Sequence, residues 1–529
     1  MALLSTLLLL LVAAATVFAF RLIRHRRFYK DLPKPPHSLL WGHLAVFNET
    51  MQQFPPNTAL SIYYTAIAQK YDLKGIYYLD LWPFGPSQMI LVSPETADLV
   101  TKVTDYPLHE MGITYLSGLV GENAMGATNG EKWKVTHRLL APAFRASSIK
   151  AMASVVADQS IGLFTPFLER CAEEGGVFSM ETAAAKLLLS ISTVTILGGN
   201  IAEDAKERLF EDIAHIVAYA TMITLTTSTN PVTKWRTWWR KMNAVKRLDT
   251  FFEGLVRARE QITRGVGKDT AGLSILDRTL IEGRGNSWNE GPLDPASMRL
   301  LVDNLKGLIL GAYGTTSDTL CAIFLMLAAH PDAVRKLREE HNQVFGDMTN
   351  TRRILKENPY KLNDLHYTTA VIKETLRLFP IGFSPRTALP GTESLTYEAK
   401  VYPTVNQMII PCQHTIHYDS DVFPSPGKFD PERFLEPNVV SAGSWRPFER
   451  GPRACVGRDL AVDELRVVLL LTIRDFDFEC AIIEPRATPR ASFTDMDLQL
   501  GDLAFQENAF SAKPRGGTMM RVKRVAHSK

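Results

Sequence analysis

Cysteine is scarce: the 529 residues hold five (Cys171, Cys321, Cys412, Cys455 and Cys480), scattered, odd in number and without a C-x-x-C pair. That usage argues against a disulfide scaffold and a zinc site, and it suits a reducing compartment. An excess of one charge is missing as well. The 59 Lys and Arg residues nearly balance the 56 Asp and Glu residues, and a net charge of +3 does not point to nucleic acid as a partner. The chain has no internal repeat, no low-complexity tract and, beyond its N-terminal region, no long polar linker. It is long enough to bury a sizeable core.

Charge is absent altogether from Met1 to Phe20, a run dominated by Leu, Ala and Val. Twenty helical residues cover about 30 Å, the thickness of a bilayer core. Arg21, Arg24, Arg26, Arg27 and Lys30 follow at once. No Lys or Arg precedes the run, which is the wrong polarity for a cleaved secretory signal. Residues 1–20 are therefore expected to form a single-pass membrane anchor with the body on the cytosolic side. Residues 21–37 are expected to form a basic hinge ending in the stiff Leu32-Pro33-Lys34-Pro35-Pro36-His37 connector, and residues 38–529 a single domain.

Within that domain, β-like stretches flank Pro83-Phe84-Gly85-Pro86 between Lys74 and Val92, which predicts a hairpin. From about Pro94 to Met348 helical periodicity dominates. Strand-like residues return near Thr396–Val401, Gln407–Pro411 and Gly517–Arg524. The expected class is mainly α with a minor β portion. The longest predicted helix is capped by Asp294, has Pro295 in its first turn and is stopped by Pro331. Its middle, Leu308-Ile309-Leu310-Gly311-Ala312-Tyr313-Gly314-Thr315-Thr316, turns abruptly from large apolar to small residues. Three glycines in a helix each cost up to about 1 kcal/mol against alanine. A close neighbour, either another helix or a flat ligand, explains why they are there.

The most informative stretch is Phe448-Glu449-Arg450-Gly451-Pro452-Arg453-Ala454-Cys455-Val456-Gly457. A cysteine in a turn of glycine, proline and arginine, followed at once by an apolar helical run, receives free backbone N–H groups and a positive dipole end. Both favour the thiolate. The pattern F-x-x-G-x-R-x-C-x-G resembles the haem-binding loop of the cytochrome P450 family, whose iron is ligated by cysteinate. Further motifs in family order strengthen the resemblance. Glu374-Thr375-Leu376-Arg377 is similar to the family's E-x-x-R, and Phe429-Asp430-Pro431-Glu432-Arg433-Phe434 to its P-E-R-F segment. Glu374, Arg377 and Arg433 are implied to be a buried structural lock.

The resemblance implies haem b as cofactor, with Cys455 as the axial metal ligand. Trp133 and His137 (where many members have Arg, here followed by Arg138), Arg386 and Arg453 are implied to bind the propionates. It implies a catalytic Thr315 on the helix that crosses the distal face, although Gly314 stands where the family usually has an acid. Water, Thr316, Asp318 or the substrate must then supply protons. Alternatively, the Thr315 hydroxyl bonds back to its own helix. Substrate-facing stretches are expected at Tyr106 to Met125, Ala312 and Tyr313, Leu378 to Ser384, and Phe505 to Phe510. The implied activity is monooxygenation of a bulky apolar molecule, such as a polyketide- or terpenoid-like secondary metabolite. The implied partners are NADPH–cytochrome P450 reductase and cytochrome b5, and the implied place is the endoplasmic reticulum membrane. Lys132, Lys134, Arg446, Arg450 and Arg458 are candidates for the reductase-facing surface. Trp235-Arg236-Thr237-Trp238-Trp239-Arg240 reads as a membrane-interface patch, a partner contact or a core turn. A haem-thiolate enzyme of non-hydroxylating chemistry and a haem sensor or carrier are the alternatives.

Overall fold

The computed structural model describes residues 2–199, 201–225, 230–264, 272–286, 288, 291–382, 384–436, 440–441 and 443–525. Met1 of the expected anchor and Phe383 of the expected substrate-facing stretch lie outside the described residues. The body is mainly helical, with four small sheets among the described residues. The predicted hairpin is present as Ile76–Asp80 and Ser87–Leu91, antiparallel, with Ile76 opposite Leu91 and Asp80 opposite Ser87. Met408–Pro411 joins it in parallel alongside the second strand. Every residue of Ile76–Asp80 is buried, so both faces are covered, and up to Leu79 the strand reads as an apolar run rather than an alternation. A second sheet places Met519–Arg524 between Phe178–Ser179 and Phe476–Cys480, tying the C-terminus into the helical body.

The central helix runs Pro295–Ala329, with the Asp294 carboxylate accepting the N–H groups of Ala296 (2.9 Å) and Ser297 (3.0 Å). It packs along the helix Met180–Thr195 and is apolar almost all round, as a core helix must be. Between Leu301 and Leu327 its burial lapses on one stripe. Gly307, Leu308, Gly311, Ala312, Gly314 and Thr315 are half-buried in a segment otherwise enclosed. These positions recur at helical spacing, so one face of the core helix borders open space.

The N-terminal helix spans Ala2–Phe28 and continues past Phe20 through the basic residues. Among the described residues, three helices are long and apolar enough to cross a membrane. Leu4–Phe28 is 6% buried, whereas the central helix is 72% buried and belongs to the core. The end of the N-terminal helix docks on the first sheet. Asp80, fully buried, pairs with Arg26 and accepts hydrogen bonds from His25 Nε2 (2.9 Å) and His37 Nε2 (2.9 Å). Arg26 also donates to the carbonyls of Leu39, Leu40 and Trp82, and Phe18 stacks on Trp82 at 5.6 Å. His43 accepts the Asp80 N–H at its Nδ1 (2.7 Å) and donates from Nε2 to the Pro35 carbonyl (3.2 Å). Burial holds this histidine neutral, its pKa pushed down to about 3. The proline-rich connector is thus clamped to the body at both ends.

Burial by itself raises the Asp80 pKa, but hydrogen bonds from His25, His37 and Arg26 outweigh it and hold the carboxyl well below the usual carboxylate range. A depressed folded-state pKa contributes stability that is present above the unfolded value of about 3.9 and is lost as pH falls through the folded one. Asp80→Asn is therefore expected to destabilise the protein by about 3–5 kcal/mol near neutral pH by stranding buried Arg26. The gap to wild type should begin to narrow only below about pH 4 and close as pH approaches the far lower folded-state value. Denaturant unfolding across pH measures it, and a gap independent of pH would refute the ion-pair account.

Candidate active site

The cysteine loop is shaped by one glycine. Gly451 has φ 82°, and a Cβ there would lie 1.8 Å from the Thr101 carbonyl oxygen, so no other residue fits. The turn closes with the Cys455 N–H donating to the Phe448 carbonyl (2.9 Å) and the Ala454 N–H to that of Gly451 (3.1 Å). The helix Arg458–Thr472 begins directly after it. Cys455 is accessible at its surface although it lies within the body of the fold. Burial pushes its thiol pKa up, while the N–H groups of Gly457 and Arg458 and the Arg458 charge pull it down. The thiolate-favouring helix terminus is present, but in the free thiol burial wins. Coordination to a metal ion would remove the proton outright.

A buried charge network holds the loop. Glu374 takes a two-pronged grip from Arg377 (Nε 2.7 Å, Nη2 2.8 Å), a bond from Arg433 Nε (3.1 Å) and the Asp430 N–H (2.9 Å). Arg377 spends its remaining donors on the carbonyls of His417, Pro426 and Lys428. His417 donates from Nδ1 to the Arg377 carbonyl (3.1 Å) and accepts the Arg446 N–H at Nε2 (3.1 Å). Arg446 then reaches Glu449, Asp98 and Thr101. Arg446 was a candidate for the reductase-facing surface; it is instead 1% exposed and serves as a strut of the loop. Arg450 is paired with Asp98 (3.1 Å). Lys132, Lys134 and Arg458 are exposed, the last beside Asp459 (3.0 Å).

Next to the loop lies a surplus of positive charge. The Arg453 guanidinium covers the Trp133 ring at 4.5 Å, and the His137 ring lies 4.9 Å from the same tryptophan. Arg453 donates to the Thr128 carbonyl (3.1 Å), and its Nε is 3.6 Å from Asp105. Arg386, fully buried, donates to the Tyr106 carbonyl (2.8 Å) and lies 3.5 Å from that same Asp105. The structure thus brings Trp133, His137, Arg386 and Arg453 together. Burial lowers both arginine pKa values, that of Arg453 to about 10, with Asp105 opposing. Both stay charged at neutral pH, yet they share one carboxylate. Arg386 Nε, Arg386 Nη2 and Arg453 Nε have no hydrogen-bond partner. Sequence reasoning missed Asp105, which sits in a loop without any surrounding motif. It also missed Asn129, whose side chain ties the Trp133 helix (Gly130–Leu140) to Leu108 through two 2.9 Å bonds.

On the central helix, a Cβ at Gly311 or Gly314 would meet nothing within 4 Å. The Thr315 hydroxyl donates to the Gly311 carbonyl (2.7 Å), so the back-bonded alternative holds and the oxygen keeps its lone pairs free to accept. Tyr115 stacks on Phe510 at 6.4 Å. Several residues expected to face substrate are instead packed elsewhere, Leu378 and Phe379 among them in one cluster with Phe54. Tyr106 is enclosed beneath the first sheet, and Phe505 packs on Phe54 at 5.1 Å. The tryptophan-rich segment is no core turn. Trp235, Trp238 and Trp239 are 61%, 46% and 51% exposed on the helix Pro231–Thr263.

The residues fit a flat, dianionic, metal-centred cofactor. They supply a reachable thiol, unpaired guanidinium N–H groups suited to carboxylates, and a helix face opened by Gly311 and Gly314. Comparison with known proteins agrees. A sequence-family model described as Cytochrome P450 matches residues 42–494. The chain is 31% identical over 490 residues to Cytochrome P450 monooxygenase acrF of Aspergillus aculeatus, covering 87% of this chain and 96% of that protein. It is 28% identical to Cytochrome P450 monooxygenase polC of Polytolypa hystricis over 90% of this chain and 87% of the relative. To 11-oxo-beta-amyrin 30-oxidase of Glycyrrhiza uralensis it is 27% identical over 75% of each.

Gly451→Ala is expected to destabilise the fold by more than about 1 kcal/mol, since it combines left-handed strain with a clash against fixed backbone. Thermal unfolding measures this, and an unchanged midpoint would contradict the turn geometry.

Proposed function

The chain belongs to the cytochrome P450 family and is a haem monooxygenase, and from that premise we propose that it is anchored in the endoplasmic reticulum membrane and hydroxylates a bulky apolar scaffold. Electrons come from NADPH through cytochrome P450 reductase, with cytochrome b5 as an accessory donor. Cys455 would bind the iron of haem b through its thiolate, and Trp133, His137, Arg386 and Arg453 would hold its two carboxylates. The observation that carries the assignment is the pair of buried guanidiniums sharing the single carboxylate of Asp105, with Arg386 Nε and Nη2 left without a hydrogen bond. Unpaired buried donors cost about 1–3 kcal/mol each, and a bound dianion repays that cost.

When bound, haem supplies the redox iron at which dioxygen is cleaved and one oxygen atom is passed to carbon. The chain's own residues set the conditions. Gly457 and Arg458 direct their N–H groups at the Cys455 sulfur. Such bonds withdraw electron density and stabilise the ligand against protonation. The Thr315 oxygen, its hydrogen engaged with Gly311, accepts from water at the distal side. Gly311 and Gly314 leave open space beside that oxygen, with nothing within 4 Å of where a Cβ would stand. The half-buried rings of Tyr115 and Phe510 suit an apolar substrate. One relative is named for oxidising 11-oxo-beta-amyrin, and a polyketide or terpenoid of that bulk is the substrate class proposed. The exposed tryptophans and cations of the Pro231–Thr263 helix support a second contact with the bilayer surface.

Cys455→Ala is expected to abolish the thiolate-type Soret band of the reduced carbon-monoxide complex. The double variant Arg386→Leu with Arg453→Leu is expected to lower haem retained per chain by roughly tenfold or more, the loss of two charge-assisted contacts. Full retention would refute the cationic cradle. With reductase, NADPH and a panel of polyketide and terpenoid scaffolds, isotopic label from dioxygen should enter product. A product without that label would overturn the hydroxylase reading.

A further inference from the structure

Hydroxylation has a proton requirement. When a C–H bond becomes C–O–H and the second oxygen of dioxygen leaves as water, two electrons and two protons are consumed. The reductase supplies the electrons, while the protons must reach a buried site past Thr315. The central helix carries two carboxylates, Asp303 and Asp318. Asp303 is committed to Arg299 (3.1 Å) and Lys306 (3.2 Å), more than three turns before Thr315. Asp318 lies one turn after it. At about 100° per residue, Asp318 falls within about 20° of Gly311 around the helix, and so lies in line with the half-buried stripe.

Asp318 is 7% exposed, and its Oδ2 accepts a hydrogen bond from Ser511 (2.7 Å), in the turn of the C-terminal hairpin formed by Glu507–Asn508 and Ala512–Lys513. Beyond Ser511 the cluster opens to solvent. Lys513 pairs with Glu181 (2.9 Å) and lies 3.9 Å from Glu507, and Lys513 and Glu181 are each 30% exposed. We propose that Asp318, held by Ser511, stores and delivers protons to Thr315 through one intervening water, with the Glu181–Lys513–Glu507 cluster as its entry from solvent. Side chains three apart on a helix stand about 5–6 Å apart, a one-water span, and Gly314 carries no side chain to block it.

The charges around the carboxyl suit this role. Burial raises its pKa to about 7, Glu181 adds to that, and the Ser511 bond and Lys513 oppose it. On the same helix, Tyr313 and Cys321 also feel its charge, and burial keeps both neutral. Asp318 is thus protonated below neutral pH and ionised above it, able to give and regain a proton near pH 7. It acts through Thr315 and is a positioning residue for proton delivery.

The proposal rests on the hydroxylase reading above, and two measurements on the haem-loaded full chain separate their failures. Infrared difference spectra between roughly pH 5 and pH 9, taken without turnover, are expected to show a protonated-carboxyl band titrating near neutrality. That band should be absent from Asp318→Asn, and Ser511→Ala should move its midpoint upward. In turnover, Asp318→Asn is expected to form roughly tenfold less product per NADPH consumed, with a larger solvent-deuterium effect and an unchanged substrate-induced Soret shift. Asp318→Glu should recover part of the yield. If Asp318→Asn fails to retain haem, the Ser511→Ala midpoint carries the test. A wild-type spectrum without the band, a midpoint indifferent to Ser511, or full product yield from Asp318→Asn overturns the proposal. Wild-type product without label from dioxygen overturns the hydroxylase reading instead.

Discussion

The whole proximal half of the molecule depends on Glu374. This buried carboxylate engages Arg377 and Arg433 and a backbone N–H, while Arg377 satisfies three carbonyls of the chain leading to the cysteine loop. A buried ion pair by itself is poor insurance, because desolvation can exceed the Coulomb gain. The network escapes that loss by saturation: each donor of Arg377 has an acceptor, and His417 passes the alignment on to Arg446 and thence to Asp98 and Thr101. Thr101 is also the residue whose carbonyl excludes a side chain at Gly451. Lock, strut and turn are thus one connected object, and the position of the thiol is its output.

On the other side of the loop the electrostatics are deliberately incomplete. Around Glu374 the charges are matched, whereas around Asp105 two guanidiniums compete for one partner and retain unpaired N–H groups. The contrast lies within one small region of the chain and separates framework from receptor. Saturated buried charge specifies shape, and unsaturated buried charge specifies a guest of opposite sign. The Trp133 ring beneath Arg453 keeps that cation in place without consuming its donors.

How far this was legible in the sequence varied with the kind of information each residue carries. The cysteine loop, the lock residues and the central helix were readable because turn chemistry, capping and spacing are local. The hairpin Ile76–Asp80 with Ser87–Leu91 was readable for the same reason. The strand Phe476–Cys480 went unnoticed although its alternation, Phe in and Asp or Glu out, was present in the residues. Asp80, Asp105 and Asn129 were invisible because their partners are remote in sequence or are backbone atoms. Arg446 was misread as surface because a charged side chain between proline and aromatic residues looks solvated until its acceptors are known. The back-bonding of Thr315 and the burial of Tyr106 and Phe505 likewise belong to tertiary packing, which no periodicity reports.

The clamp at Asp80 alters what the N-terminal helix is. Because Arg26 and His25 sit on the same unbroken helix as the apolar segment and are gripped by the first sheet, the helix is a shaft fixed to a housing rather than a tether. Rotation about its axis or a change in its tilt turns the body by the same angle. In a bilayer of changing thickness, where helices answer mismatch by tilting, the enzyme would swing with its shaft. Were the proposed anchor seated in such a bilayer, lipid composition would set the angle at which the body stands to the membrane surface.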